Sequence, residues 1–325
     1  MKLDSAVASA LVQIQGHADA GETAVFAREL EAIYAQTYDV QYPDLKARML
    51  LPIDSRPNTA DESYTYRQFD KFGEARMVNN YASDFPSADV LGKEFTQKIK
   101  SIGNSYQYSI QELRVAAKVG RPLDAMKASA AAYVMQQKLE TIAATGDTAT
   151  GLVGFSNAPN ILSVTKGAQA LGTTWFTAAG LQQATNAEIL ADINKMCQTI
   201  FSTTQGLWMP DTLVLDTANY GFLAVTPRSS TYTDDTILQY ILKQSPWLTS
   251  IQFWPKLNTA GAGGKARIMA YKKDPMVVQL VIPQEFEQFA PQARNMAFIV
   301  PCHMRCGGVS VHYPKGVCLM DGTGA

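Results

Sequence analysis

Helical periodicity is strongest in the middle of the chain. Between Ser109 and Thr145 alanine, the best helix-forming residue, occurs nine times. Gly120-Arg121-Pro122 interrupts this stretch, with the proline well placed at the first turn of a second segment, and Gly146 is placed to end it. We therefore expect a long helix in two segments. The three-to-four spacing predicts a buried face made of Leu123, Met126, Ala130 and Tyr133.

A strand of a different kind is predicted from Glu62 to Arg76, ESYTYRQFDKFGEAR. Polar and aromatic residues are mixed on both of its faces, so it is not expected to lie on the core of its own domain. Val90–Tyr108 supplies the partner strand, and 78–89 is a turn-rich tip. A two-stranded hairpin is marginally stable alone in water, so this one is expected to lie on another chain.

The other apolar patterns alternate between helix and strand. They predict helices at Ala24–Tyr34, Ala187–Phe201 and Asp235–Gln244, with a turn or helix at Asp216–Leu223. They predict strands at Thr212–Asp216, Ile251–Leu257, Ala266–Tyr271, Val277–Ile282 and Met296–Cys306, and a closing hairpin of Val309–Tyr313 with Val317–Met320. Three prolines between 38 and 57 predict extended chain that wraps another body. The fold class is α+β.

Composition and charge reduce the number of function classes that fit this sequence. The 325 residues carry 28 basic and 29 acidic side chains, a net charge of −1, which argues against a protein whose main task is binding nucleic acid through a basic surface. The length favours two lobes, and the 18% charged fraction favours a surface covered by other subunits. No membrane segment and no signal peptide are expected, and four cysteines are too few for a disulfide scaffold. We expect a soluble protein made in a reducing cytoplasm.

Two sequence patterns resemble ligand-binding motifs, but each lacks part of the motif it resembles. Residues 258–265, NTAGAGGK, resemble a phosphate loop, but Ala266 stands where a magnesium-binding Ser or Thr is needed, so a flexible hairpin tip is expected. A second cluster suggests zinc but offers only one close cysteine pair, and buried apolar cysteines are the favoured interpretation. That cluster consists of Cys302, His303, Cys306, His312 and Cys318.

Catalytic chemistry is not predicted either. There is no G-x-S-x-G elbow, and the third histidine, His17, lies in the N-terminal arm. The pair Asp234-Asp235 is explained by capping the helix that starts before Ile237. We therefore predict no catalytic, cofactor-binding or metal-binding residues, no cofactor and no enzyme.

Three stretches resemble the major capsid proteins of tailed bacteriophages, whose fold is shared with encapsulin shells. Residues 81–117, YASDFPSADVLGKEFTQKIKSIGNSYQYSIQELRVAA, resemble a hairpin's return strand running into a spine helix. Residues 151–160, GLVGFSNAPN, are similar to a Gly-x-x-Gly-x-x-Asn-x-Pro turn after that helix. Residues 271–324 resemble the segment that returns to the peripheral lobe. With the order of the elements, the resemblance spans nearly the whole chain.

The resemblance implies a division into parts. They are an N-terminal arm (1–57), an extended hairpin or E-loop (58–108), a spine helix with peripheral domain (109–184), an axial domain (185–276) and return strands of the peripheral domain (277–325). Either the loop 229–235 or the loop 261–264 would lie near the capsomer axis, and the hairpin and arm would reach neighbouring subunits.

The function implied is structural: a major capsid subunit that forms pentamers and hexamers of an icosahedral shell around double-stranded DNA, located in the virion. Its expected partners are other copies, a separate scaffolding protein, a portal, a decoration protein and DNA held by non-specific contact, with no membrane. Some members cross-link through a hairpin lysine. Lys71, Lys93, Lys98 and Lys100 are candidates, but no acceptor matches, so solvated lysines are expected. The alternatives are an encapsulin-type compartment that binds enzyme cargo and, resting only on the Cys–His cluster, a metalloenzyme.

Overall fold

The protein is described by a computed structural model that covers residues 42–77, 86–119, 123–177, 180–229 and 235–324. Contacts divide the chain into two units at Asp44. Of the first unit only residues 42–44 are described, and they are in neither helix nor strand. All elements below belong to the second unit. The predicted helix Ala24–Tyr34 and His17 lie outside the described residues.

The described residues form six α-helices. They are α1 (Ala47–Leu50), α2 (Ile110–Val119), α3 (Leu123–Thr145), α4 (Asn186–Thr203), α5 (Thr217–Val225) and α6 (Ile237–Gln244). Helices α2 and α3 are the two predicted segments of the long helix. The predicted buried face of α3 is wrong, because Met126 and Ala130 are exposed. The side chains of α3 that pack inward are instead those of Ala131, Met135, Leu139 and Ile142.

Fourteen strands lie in four sheets in the described part. The bounds are β1 (Ile53–Asp54), β2 (Ser63–Gly73), β3 (Ala88–Lys98), β4 (Lys100–Ser109), β5 (Leu162–Ser163), β6 (Thr212–Leu215), β7 (Ser250–Phe253), β8 (Arg267–Tyr271), β9 (Val278–Val281), β10 (Gln284–Gln288), β11 (Gln292–Arg294), β12 (Ala297–Cys306), β13 (Gly308–Val311) and β14 (Val317–Asp321). The orders are β1-β9-β13, β10-β12-β11 with β4 on the other side of β12, β5-β14-β8-β6-β7, and the hairpin β2-β3.

The five-stranded sheet separates two hydrophobic cores. On β8, Met269 and Tyr271 join the first core with α1 and α3, while Ile268 and Ala270 join the second with α4 and α6. Strands β6 and β14 divide their side chains in the same way. Because successive side chains point to opposite faces, a sheet covered on both sides needs continuous apolar runs, and TLVL at 212–215 is one.

The hairpin is confirmed between Ser63 and Lys98, with eleven residue pairs from Ser63–Lys98 to Gly73–Ala88. The predicted partner strand Val90–Tyr108 is in fact two strands. Strand β3 ends before the buried Ile99, and β4 then pairs with β12 from Lys100–Cys306 to Ser109–Ala297. The exposure pattern changes phase at this point: odd-numbered residues are the less exposed ones up to Ile99, and even-numbered residues are the less exposed ones from Ile102 onward.

Two other predicted hairpins are wrong. Strands β7 and β8 do not pair, because β6 lies between them, parallel to β7 and antiparallel to β8. The glycine-rich segment between them contains two short 3-10 turns instead of a hairpin tip. Strands β13 and β14 belong to different sheets, joined by the 3-10 turn Pro314–Gly316. In both cases the pairing partner is distant in sequence, where local alternation carries no information.

The prediction of extended chain between residues 38 and 57 is also wrong for part of this range. It contains the one-turn helix α1, and Ala47, Leu50 and Leu51 are buried in the first core of the same chain. From Leu45 onward this stretch is therefore packed on its own body.

Candidate assembly surfaces

The base of the β2–β3 hairpin is anchored on its own chain. The ring of Tyr66 stacks on Phe95 at 5.2 Å between centroids and meets the His312 ring edge-on at 4.4 Å. The Gln68 side-chain amide donates to the His312 carbonyl at 3.1 Å. Burial lowers the pKa of His312, and the nearby Arg56 guanidinium lowers it further against the opposing effect of Asp54. The neutral ring therefore persists at the base of the hairpin at neutral pH.

The outer half of the hairpin carries apolar side chains in solvent. Phe69 and Leu91 are 67% and 61% exposed, and Phe72 and Val90 are also exposed. The Arg67–Glu94 ion pair, at 2.7 Å, crosses the two strands next to them and is exposed as well. Exposed apolar groups on a two-stranded sheet give it no core of its own, so this half is suited to burial against another molecule.

The predicted turn motif at 151–160 closes the C-terminal end of α3. Gly146 has a φ of 74°, the left-handed conformation that ends helices. The Asn157 side chain accepts from Gly154 N at 2.9 Å and donates to the Thr145 carbonyl at 2.7 Å. Phe155 N and Ser156 N bond the carbonyls of residues 143 and 144. The last carbonyls of α3 are thus satisfied by the motif itself.

Glu140 joins three elements inside the first core. Its buried carboxylate accepts from the main-chain N–H of Lys46 at 3.0 Å and of Ala47 at 2.8 Å, at the start of α1. It also accepts from the Trp254 indole N–H at 2.5 Å. Three donors compensate the burial of this charge. The side chain therefore fixes α3 to the start of α1 and to the segment after β7.

A second buried polar group lies beside the second core. Asp216 caps α5 by accepting from Asn219 N at 3.1 Å, and the Asn219 amide also donates to Asp216 and to the Thr323 hydroxyl. All three side chains are buried, and Asn219 Oδ1 has no partner among the described residues. Burial raises the pKa of Asp216, while the hydrogen bonds from Asn219 lower it in part. The cluster fixes the segment Gly322–Gly324 against α5.

The residues considered for chemistry do not form a site. Cys302 and Cys306 lie on the buried face of β12 in the first core, whereas Cys318 lies in the second core. Burial raises the pKa of Cys306 to about 11 and that of Cys318 to about 12, as expected for small apolar thiols. Within the described ranges no group of His, Cys, Asp and Glu is arranged to hold a metal ion. His303 contacts Gln284, 3.1 Å from Nδ1 to the amide oxygen.

Other predicted positions have structural roles. The N-cap of α6 is Thr236, with Gln239 completing a capping box, so the capping assigned to Asp234-Asp235 is wrong. Asp235 instead pairs with Lys243, and Asp234 lies outside the described residues. The loop 261–264 is held by Asp321, which accepts from Ala262 N at 3.1 Å. The four hairpin lysines are all exposed.

Sequence reasoning missed the buried carboxylates Glu140 and Asp216. A glutamate inside an alanine-rich helix is typical of a solvated face, and nothing local marks Glu140 as buried. Asp216 had one usable signal, since an aspartate directly after an apolar strand and before a helical pattern is a candidate N-cap.

Similarity to solved structures defines the class of the fold. The capsid of Myoviridae phage XM1 matches with a TM-score of 0.78 at 17% identity, over 93% of this chain and 99% of that chain. A chain of Mycobacterium phage Bobi matches with 0.61 at 12% identity, over 91% and 97%. A virus-like particle from Pyrococcus furiosus matches with 0.55 at 11% identity, over 84% and 90%. The fold is that of tailed-phage capsid proteins.

The sequence places the chain in a family. The model of the major capsid protein family matches residues 73–323, more than half of the chain. The chain therefore belongs to the major capsid protein family: it is a structural protein of phage capsids and not an enzyme. A search of curated proteins finds no match.

The alternatives are weakened by these matches. The encapsulin-type compartment is not favoured, since the family model describes a capsid protein and phage capsids are the structural neighbours. No helix among the described residues has the length and apolar character to cross a membrane.

Proposed function

We propose that the chain assembles through pentamers and hexamers into an icosahedral shell that encloses double-stranded DNA. The observation that carries the proposal is the outer half of the β2–β3 hairpin. Its base is fixed on its own body by Tyr66 and Gln68, while the apolar side chains beyond it are exposed. Many copies, each burying such a hairpin on a neighbour, form a closed array by repetition of one contact.

The parts of the chain have distinct roles in this proposal. Residues 1–57 form the arm, 58–108 the hairpin, 109–184 and 277–325 the peripheral domain, and 185–276 the axial domain around the capsomer axis. The two cores on either side of the five-stranded sheet support a division into two lobes. The segment 45–57, packed by α1 and Glu140, is then the fixed base of the arm.

The remaining partners follow from the same role. A scaffolding protein, a portal and a decoration protein are proposed as separate chains, and synthesis is proposed to occur in the host cytoplasm. The net charge of −1 supports a wall that surrounds DNA with non-specific contact and no strong phosphate affinity.

Assembly of the purified chain tests the proposal. Negative-stain microscopy and sedimentation should show shells, tubes or ring-shaped capsomers, with or without a scaffolding protein. The double variant Phe69→Ser with Leu91→Ser should remain unassembled, because it removes the exposed apolar groups. The matched control Phe69→Leu with Leu91→Met keeps them and should assemble as the parent does. A parent chain that stays monomeric under all assembly conditions would refute the proposal.

A further inference from the structure

The extended segment formed by β3, Ile99 and β4 has one edge that is paired with another strand over only part of its length. Along β3 this edge is paired with β2, up to the hydrogen bond from Ile99 N to the Glu62 carbonyl at 2.8 Å. Before Glu62 the chain turns away, with Asp61 N bonded to the Asn58 carbonyl at 3.1 Å. The same edge continues along β4, where β2 no longer accompanies it.

The main-chain groups of alternate β4 residues point to this edge. Ser105 lies opposite Pro301 on β12, and the Pro301 carbonyl accepts from Phe289 N at 2.9 Å, on the side away from β4. The Ser105–Pro301 pair is therefore not hydrogen-bonded, and Ser105 N–H is satisfied by its neighbour Asn104 Oδ1 at 2.8 Å. The alternation places Gly103 and Ser101 in the same orientation. In the described part of the chain these two have no main-chain partner on that side.

The open edge has clear limits. At its far end the Gln107 carbonyl accepts from Lys127 Nζ at 2.8 Å, and Ser109 N donates to Glu112 at 3.0 Å. Residues 101–105 remain, about 17 Å of strand. Proline, a bulge or inward-pointing charge protects most natural edges, but the outward-facing side chains here are the small Ser101, Gly103 and Ser105.

The outer half of the hairpin matches this edge. Since Glu62 and Ile99 form a hydrogen-bonded pair, the odd-numbered residues of β2 direct their main-chain groups to the outer side. Phe69 is one of them, and its exposed ring would lie over small residues of β4. Within one chain this half starts several residue pairs beyond Ile99, so it cannot fold back onto its own β4.

We propose that residues 67–73 of one copy add as a strand to the open edge of β4, residues 101–105, in a second copy. Main-chain hydrogen bonds supply the affinity, and the exposed apolar side chains beside them are buried at the same time. The inference rests on the proposed function and names the surface that receives the hairpin. The contact is head-to-tail, the type that closes into rings.

Proline at Gly103 tests the open edge. Gly103→Pro removes the outward N–H and leaves the β4–β12 hydrogen bonds, which use the even-numbered residues. Gly103→Ala is the matched control, because an added Cβ meets only the Cys302 carbonyl, at 4.0 Å. We expect Gly103→Ala to assemble normally and Gly103→Pro to raise the concentration needed for assembly, about two- to tenfold for the lost hydrogen bond alone. Equal thermal unfolding of the two unassembled variants shows that both fold.

Cysteine cross-linking identifies the occupant of the edge. The four native cysteines are buried, so an exposed engineered pair reacts selectively. Copies with Phe69→Cys or Lys71→Cys, mixed with copies carrying Gly103→Cys or Ser105→Cys, should give a reducible dimer on oxidation. A dimer from Gly103→Cys or Ser105→Cys copies alone, or normal assembly of Gly103→Pro, would overturn the inference and leave the proposed function standing. Failure of the parent chain to assemble would refute both.

Discussion

Glu140 shows how a single charged side chain is accommodated in the core of this molecule. Its two oxygens face three N–H donors from two elements, so the carboxylate replaces water with fixed partners. A glutamine amide of the same shape has an NH2 group in place of one oxygen. At least one of these N–H donors would then face another donor. The arrangement predicts that charge, and not size, is required at this position.

Glu140→Gln should lower the free energy of unfolding of the dissociated subunit by about 2–4 kcal/mol, since buried donors lose their acceptor. Urea unfolding followed by tryptophan fluorescence measures the change. The control Glu285→Gln removes the exposed ion pair with Arg48 and should cost less than about 1 kcal/mol. Equal costs for the two variants would contradict the role given to Glu140.

For Asp216 we predict the opposite of the result for Glu140: removal of the charge should stabilise the subunit. Burial raises its pKa, so the folded state binds the proton more tightly than the unfolded state. Its contribution to stability therefore falls as the pH rises from the unfolded pKa of about 3.9 through the folded value. Asparagine caps helices equally well, since its Oδ1 can still accept from Asn219 N, and it has no charge to bury.

Asp216→Asn should therefore stabilise the subunit by about 1 kcal/mol at pH 7, with a smaller gain at pH 4. Unfolding curves at the two pH values test this. Asp321→Asn, which breaks the ion pair with Arg267 at 2.6 Å, should destabilise at pH 7. A loss of stability in Asp216→Asn that is greater at pH 7 than at pH 4 would show that the charge itself is needed.

At the scale of elements, the motif after α3 makes a prediction about two glycines. A Cβ on Gly154 would overlap main-chain atoms of Thr145 and Gly146, whereas a Cβ on Gly151 meets open space despite a φ of 73°. Gly154→Ala should cost about 3 kcal/mol or more, and Gly151→Ala about 1 kcal/mol. Thermal unfolding of both variants measures the difference. Similar costs would mean that the motif does not close the helix tightly.

The elements that the sequence predicted well are those specified locally. Helix α4 appears with its full buried stripe, including Ile189, Ile193 and Ile200, because helical periodicity depends only on neighbours three and four residues away. The failures were pairings, as with β7 beside β6 in place of β8. Both faces of that sheet are buried, so apolar runs in several strands fit each other equally well. Glu140 was missed for a related reason, since its donors come from distant segments, whereas the donors to Asp216 come from the neighbouring Asn219.

For the molecule as a whole, the near balance of 28 basic and 29 acidic side chains argues against a dedicated nucleic-acid binder and is compatible with a container for nucleic acid. Two cores share one central sheet, and the hairpin projects its apolar half without a core. The two cores stabilise the body of the subunit, whereas the outer half of the hairpin packs on neither core. Its complete environment is supplied by other copies.

A cryo-electron microscopy map of particles formed by the expressed chain would show whether the hairpin is buried between copies. We predict a closed shell of pentamers and hexamers in which the outer half of each hairpin lies on a neighbouring copy. Particles in which Phe69 and Leu91 remain exposed to solvent, or a chain that stays monomeric under every assembly condition, would contradict it.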